Sequence, residues 1–137
     1  MSNFYISIKP KKLTVMVQTK ISQFTANVGE EIGVELGAQM ISSYRQANTT
    51  DTIGYFVGRN ILEQVLAQPG CVGIKFYNAY NEAGSKTLVY VGVNAEGNNM
   101  LNISSVNANG QFEMNQGIVA DRIREIKDDE TAWWDFE

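Results

Sequence analysis

The run Cys71-Val72-Gly73-Ile74-Lys75-Phe76-Tyr77-Asn78-Ala79-Tyr80 is followed, after Asn81-Glu82-Ala83-Gly84, by Ser85-Lys86-Thr87-Leu88-Val89-Tyr90-Val91-Gly92-Val93-Asn94. Both runs are rich in β-branched and aromatic residues and are separated by turn formers, the pattern of a β-hairpin. A four-residue loop sets Tyr80 opposite Ser85. Phe76 then faces Val89, Ile74 faces Val91 and Val72 faces Val93, which makes one aliphatic side. The other side carries Tyr77 opposite Leu88, Lys75 opposite Tyr90 and Gly73 opposite Gly92. A slip of one residue would mix these sets. In this register both sides hold large apolar groups, whereas an antiparallel sheet with one wet side alternates cleanly. The tyrosine-bearing side is therefore expected to be covered: by a helix or the tail of the same chain, by a second copy, or by a flat ligand seated where the paired glycines leave a notch.

Working outward, Asn94-Ala95-Glu96-Gly97-Asn98 reads as a second turn, and Asn107-Ala108-Asn109-Gly110 as a third between strands at 100–106 and 111–114. That predicts an antiparallel meander of about four strands. Ile118, Val119, Ile123 and Ile126 suit the inner side of a C-terminal helix over 117–127. On the N-terminal side, Gln68-Pro69-Gly70 stops a short helix over 58–67 with Ile61, Leu62, Val65 and Leu66 inward. A longer helix is expected over 28–47, capped by Asn27 with Glu30 three residues on, its apolar stripe formed by Ile32, Leu36, Met40 and Tyr44. Gly33 and Gly37 lower its propensity and suggest close approach of another backbone. The two helices form an N-terminal helical hairpin. The whole is an α+β fold in one domain over 1–137, with 1–20 as an extended arm or edge hairpin and 128–137 as an acidic, then aromatic, tail ending in Trp133, Trp134 and Phe136. No internal repeat, low-complexity tract or linker is evident.

Composition removes several chemistries. The 137 residues contain no histidine and one cysteine, and the net charge is −4. Without histidine there is neither the usual general base near neutral pH nor the commonest zinc ligand. Ser-His-Asp and Cys-His mechanisms are excluded. The acidic balance opposes a general affinity for phosphate backbones, so no nucleic-acid partner is expected. No stretch reaches the length of a membrane helix. With no signal-peptide pattern at the start, a cytoplasmic protein without membrane association is the expectation.

The individual candidates are weak. Cys71 follows a helix end, where the dipole has the wrong sign to activate a thiolate, and reads as a small buried hydrophobe. Arg59 at a helix start could contact an anion, but Glu63 one turn on offers an ordinary surface pair. The acidic groups at 121–130 lack the alternation of a calcium loop. No cofactor, metal or catalytic set is indicated.

The stretch Ile61-Leu62-Glu63-Gln64-Val65-Leu66-Ala67-Gln68-Pro69-Gly70-Cys71-Val72-Gly73-Ile74-Lys75-Phe76-Tyr77, together with Thr87 to Asn94, resembles a family of small uncharacterised bacterial proteins. The resemblance covers about a third of the chain, implies that the Gln-Pro-Gly-Cys corner and the hairpin are the common structural unit, and brings no activity with it. The functional expectation rests on the hairpin. It is a non-enzymatic binding or assembly protein that forms a homodimer or takes a protein partner through a face made of Gly73, Lys75, Tyr77, Leu88, Tyr90 and Gly92. The alternative is a small-molecule-binding domain or enzyme with an aromatic pocket near that face, its polarity supplied by Arg59, Lys75, Tyr77 and Tyr90.

Overall fold

The computed structural model describes residues 22–127 and 132–134. The expected arm over 1–20, the acidic run Asp128-Asp129-Glu130 and Phe136 lie outside the described residues. In chain order the elements are α1 (Val34–Ala47), β1 (Gly54–Phe56), α2 (Arg59–Leu66), β2 (Cys71–Tyr80), β3 (Lys86–Asn94), β4 (Asn102–Val106), β5 (Phe112–Gln116), β6 (Val119–Ala120) and β7 (Arg124–Ile126). The strands form three antiparallel sheets, ordered β2-β3-β6, β1-β7 and β4-β5.

This architecture overturns the α+β arrangement expected from the sequence in three places. The helices do not form a hairpin, because β1 intervenes and pairs with β7, Gly54 opposite Ile126 and Phe56 opposite Arg124. The four-stranded meander is instead divided between two sheets, β2 and β3 in the three-stranded one and β4 and β5 in a ribbon that pairs only with itself. No helix forms over 117–127, where a C-terminal helix was expected. Val119 and Ala120 pair with Val91 and Tyr90 on the free edge of β3, and Arg122 takes a φ of 66° that interrupts any helical run. Of the β-branched residues read as a helical stripe, Val119 serves in β6 and Ile126 in β7, while Ile118 and Ile123 lie just outside the strands.

The first helix also begins later than expected. Gly29 and Gly33 have φ of 114° and 85°, outside the helical region. Gly33 is the N-cap and no side chain caps the helix, so the Asn27/Glu30 capping box does not form. Ala38, not the Leu36/Met40/Tyr44 stripe, is the buried position of α1. Trp133 packs at Gly37, where an added Cβ would make ordinary contact 3.6 Å from the indole.

The hairpin register is one residue away from the expected one. Tyr80 pairs with Lys86, Tyr77 with Val89, Phe76 with Tyr90, Lys75 with Val91, Ile74 with Gly92 and Gly73 with Val93, with a bulge between Cys71 and Gly73. The turn explains the shift. Asn81 N–H donates to the Ser85 carbonyl at 2.8 Å, so the loop is the three residues Glu82-Ala83-Gly84, and Gly84 is left-handed at φ 81°. Three-residue hairpins with a left-handed third position are a favoured turn class. The Asn81 side-chain oxygen locks it by accepting from the N–H groups of Ala83 and Ser85, each at 2.9 Å.

The same turn occurs three times. Asn94 accepts from Glu96 and Asn98, and Asn107 from Asn109 and Gln111. Gly97 and Gly110 repeat the left-handed glycine, at φ 87° and 77°. The three asparagines stand thirteen residues apart, at 81, 94 and 107. A short repeat of strand plus Asn-x-x-Gly-x turn is therefore present, contrary to the expectation of none.

β3 is the central strand of its sheet and is closed on both sides, with Thr87, Tyr90, Val91, Gly92 and Val93 all buried. On the Tyr90/Gly92 side sits the end of α2. A Cβ at Gly92 would meet Gln68 Nε2 at 2.8 Å, Cys71 Sγ at 3.0 Å and Val65 Cγ1 at 3.3 Å. On the Val91/Val93 side runs the segment around Phe24, whose ring receives the Lys75 ammonium 4.2 Å from its centroid.

Candidate interaction surfaces

The six residues expected to share one face lie on opposite sides of the ribbon. Residues that pair directly across an antiparallel ladder point to the same side. Gly73, Lys75 and Tyr77 therefore go with Val89, Val91 and Val93, while Leu88, Tyr90 and Gly92 go with Ile74, Phe76 and Asn78. The paired-glycine notch is absent: Gly73 has open space above its Cα, and Gly92 is filled by Gln68, Cys71 and Val65 of the same chain. Trp133 packs at Gly37 instead.

The individual side chains are committed to local structure. Tyr90 is 1% exposed. Its ring lies against Phe76 with centroids 5.4 Å apart, and its hydroxyl donates to the Asp121 carbonyl at 3.3 Å. Burial, with a smaller contribution from Asp121, holds its pKa above the usual tyrosine value. Lys75 donates to the Gly97 carbonyl at 3.3 Å. The Tyr77 hydroxyl accepts from Asn99 Nδ2 at 2.9 Å. Arg59 is at the surface and 3.8 Å from Glu63. The Cys71 thiol donates to the Gly73 carbonyl at 3.2 Å. Among the described residues no three His, Cys, Asp or Glu side chains converge as a metal site would require, and no helix is long and apolar enough to cross a membrane.

What the geometry does present is uncovered apolar surface in two places. The first is the β4–β5 ribbon, which leaves and rejoins the β3 edge. Met100 N–H donates to the Gly92 carbonyl before it, and Gly117 N–H closes it by donating to the Leu101 carbonyl, both at 2.8 Å. Within the ribbon Val106 pairs with Phe112 and Ser104 with Met114 on one side, and Ile103 with Asn115 and Ser105 with Glu113 on the other. Val106, Phe112 and Met114 are all exposed, Phe112 to 85%. The second place is α1. Leu36, Met40 and Tyr44 follow one another at four-residue spacing, so they form a stripe along the helix, and all three are exposed.

A third feature is a cleft of about 390 Å³ where α1 meets the tip of the hairpin, lined by Tyr44, Asp51, Tyr55, Asn78, Tyr80 and Lys86 among others. The Asp51 carboxylate accepts from Lys86 Nζ at 2.5 Å, from the Tyr44 hydroxyl and from the Thr52 N–H at 2.8 Å. Lys86, then Tyr44, then the Thr52 amide hold its carboxyl well below the usual carboxylate range. The same contacts hold Lys86 and Tyr44 above their ordinary values. The charges of this cluster are thus spent on each other.

The α1 stripe is visible in the sequence as a periodic pattern but reads as core-facing, and the outer side of the ribbon is not marked there. The Asn-x-x-Gly-x period marks where the ribbon turns. Its freedom from the sheet has a signal only in Gly117, which sits at the base of the arm. Comparison with protein-family models, with curated proteins and with solved structures finds no match to this chain.

Proposed function

We propose that this protein is a non-enzymatic assembly subunit that associates with further copies of itself through the apolar surfaces its own fold leaves open. One observation carries the reading. Among the described residues six apolar side chains are buried, Ala38, Val65, Tyr90, Val91, Val93 and Met100, while eighteen large ones are exposed. Scattered exposed hydrophobes are ordinary, but here they line whole elements. An isolated two-stranded ribbon is at best marginal in water, and a helix of fourteen residues is at the lower limit of independent stability. Both gain from cover that the described part of the chain does not supply. Light scattering on the size-separated full chain tests this. A mass that rises with concentration above the 15.2 kDa of one chain is the expected result, and a single-chain mass up to millimolar concentration would remove the reading.

A second reading, a small-molecule-binding domain, is favoured by the cleft with Tyr44, Tyr55 and Tyr80. Its volume falls within the range of ligand pockets, and tyrosines supply flat apolar walls with polar rims. This reading moves the aromatic pocket away from Lys75, Tyr77 and Tyr90, to the tip of the hairpin. A thermal-shift screen of metabolites on wild type and on Tyr55→Ala decides it: stabilisation lost in the variant supports it, and no stabilised compound speaks against it.

A further inference from the structure

We infer that the cleft between α1 and the tip of the β2–β3 hairpin binds a neutral polyhydroxylated ligand, a mono- or disaccharide. This rests on the small-molecule reading and names the class of compound. Four segments build the site. Tyr80 pairs with Lys86, and Asn78 stands two residues from Tyr80, so all three point to one side of the hairpin. Tyr44 comes from α1, Asp51 and Thr52 from the loop after it, and Tyr55 from β1. The lining carries one acid and one base, Asp51 and Lys86, and they are paired with each other. An anion would lie beside the Asp51 carboxylate and a cation beside the Lys86 ammonium, each against a like charge. A neutral ligand meets neither cost. The pair still has hydrogen-bonding capacity. Among the described residues Asp51 Oδ1 accepts from Lys86 and Thr52, whereas Oδ2 accepts from Tyr44 alone, which leaves one of about four lone-pair sites open. Asp51 takes one of the three Lys86 donors. An open acceptor beside an open donor matches two neighbouring hydroxyls of a sugar, one donating to Oδ2 and the other accepting from Nζ. Both bonds would be of the stronger, charge-assisted kind. Asn78 is exposed and adds an amide that both donates and accepts. The tyrosines supply the apolar half. Tyr44 is 50% and Tyr80 74% exposed, flat rings on which the C–H face of a sugar packs while its hydroxyls stay at the rim. At about 390 Å³ the cleft is at the small end of ligand pockets, the size of one or two sugar rings.

Saturation-transfer NMR of the full chain tests it with glucose, galactose and mannose, their uronate and 2-amino counterparts, and maltose and cellobiose. At least one neutral sugar should bind with a millimolar or tighter Kd, and the charged counterparts roughly tenfold more weakly. Tyr80→Ala removes a wall and Asn78→Ala the amide, both at exposed positions, and circular dichroism checks that each is folded. Each should weaken binding of the neutral sugar roughly tenfold. Arg59→Ala, outside the cleft, should bind like wild type. The sugar assignment is overturned by a panel with no binder, by a charged counterpart that binds more tightly than the neutral sugar, or by binding that survives both cleft variants. The small-molecule reading then stands only if the metabolite screen gives a compound whose stabilisation Tyr55→Ala abolishes. If that screen is empty as well, both fall.

Discussion

The α-carbon of Gly117 lies so close to the Met100 carbonyl that a Cβ added there would stand 1.7 Å from the oxygen. This is the base of the arm, where the outgoing and returning strands pass and Gly117 N–H bonds Leu101. The backbone of Met100 is itself held, by its bond to Gly92, so the clash has no flexible side chain to absorb it. Gly117→Ala should lower unfolding free energy by about 2–4 kcal/mol, in the range of overpacking and broken backbone contacts. Gly73→Ala, with open space around the added methyl, should stay within about 0.5 kcal/mol of wild type. Urea denaturation of the pair checks both, and equal stability of the two variants would contradict the close approach.

The three Asn-x-x-Gly-x turns should not be equivalent in consequence. Each asparagine oxygen accepts two backbone N–H groups, so replacement by alanine removes two hydrogen bonds, worth about 1 kcal/mol each. Asn94 joins the central strand to the base of the arm, and Asn94→Ala should lower the global thermal midpoint. Asn107 closes a ribbon that pairs only with itself. Asn107→Ala should instead speed amide exchange over 102–116 while leaving exchange in β3 unchanged, because local opening there need not unfold the sheet. Hydrogen exchange with mass spectrometry resolves the two, and uniform loss of protection in both variants would refute the separation.

These turns also show what the sequence disclosed and what it did not. The strands at 71–80 and 86–94 follow from β-branched and aromatic composition around Asn81 and Gly84, and α2 follows from its periodicity and the Pro69-Gly70 stop. Register was lost because Asn81 and Ser85 pair with each other and leave a three-residue loop. A shift of one residue exchanges the sides of a ribbon apolar on both. The C-terminal strands were unreadable locally: Ile118, Val119, Ile123 and Ile126 fit a helical spacing, and only the free edge of β3 and the partner strand at 54–56 select the extended form. Leu36, Met40 and Tyr44 do form a stripe on α1, though Ile32 of the expected pattern precedes the helix, and the rule that such a stripe faces the core failed. Small Ala38 takes the buried position, and Trp133 packs at Gly37 beside the stripe. Gln68 passed as part of a helix stop, with no pattern to show that its amide reaches residue 118.

That reach makes Gln68 a joint between two elements far apart in sequence. Its Oε1 accepts the Ile118 N–H at 2.9 Å, and its Nε2 donates to the Val65 carbonyl at 3.0 Å. The side chain is buried and also fills the space over Gly92. Gln68→Leu keeps the volume but strands the Ile118 N–H, while the Val65 carbonyl keeps its bond from the backbone N–H of residue 68, at a cost of about 1–3 kcal/mol. Gln68→Glu keeps the acceptor, and at low pH the O–H of its neutral carboxyl can stand in for the amide donor, so it should lie nearer wild type than leucine there and lose stability as the buried carboxyl ionises. Chemical denaturation ranks them, and a leucine variant as stable as wild type would show that the joint carries no weight.

Two carboxylates set the acid limit of stability. Arg122 reaches Glu82 with Nη2 at 2.7 Å and Nη1 at 3.0 Å and brings its pKa down to about 2. Asp51 is depressed further by Lys86 and Tyr44. A group whose pKa is lower folded than unfolded contributes stability that is fully present above its unfolded value and is lost as pH falls through the folded one. The thermal midpoint should therefore be flat from about pH 8 to 5 and fall steadily below about 4.5. Asp51→Asn and Glu82→Gln should each lower the midpoint at pH 7; the gap to wild type should narrow below about pH 4.5, nearly closing by about pH 2 for Glu82→Gln and only at still lower pH for Asp51→Asn, so that the double variant has the shallowest acid slope. At the alkaline end the sign reverses. Lys86 and Tyr44 are raised by Asp51, so their contribution persists below the ordinary lysine and tyrosine values and disappears as pH climbs through the raised ones. Asp51→Asn should remove that limb as well, which ties both ends of the profile to one side chain. All four groups lie near the surface, where salt screens such pairs. The same scans in high salt should shrink the difference between wild type and Asp51→Asn. An acid limb unchanged in both variants would assign it to carboxylates elsewhere in the chain.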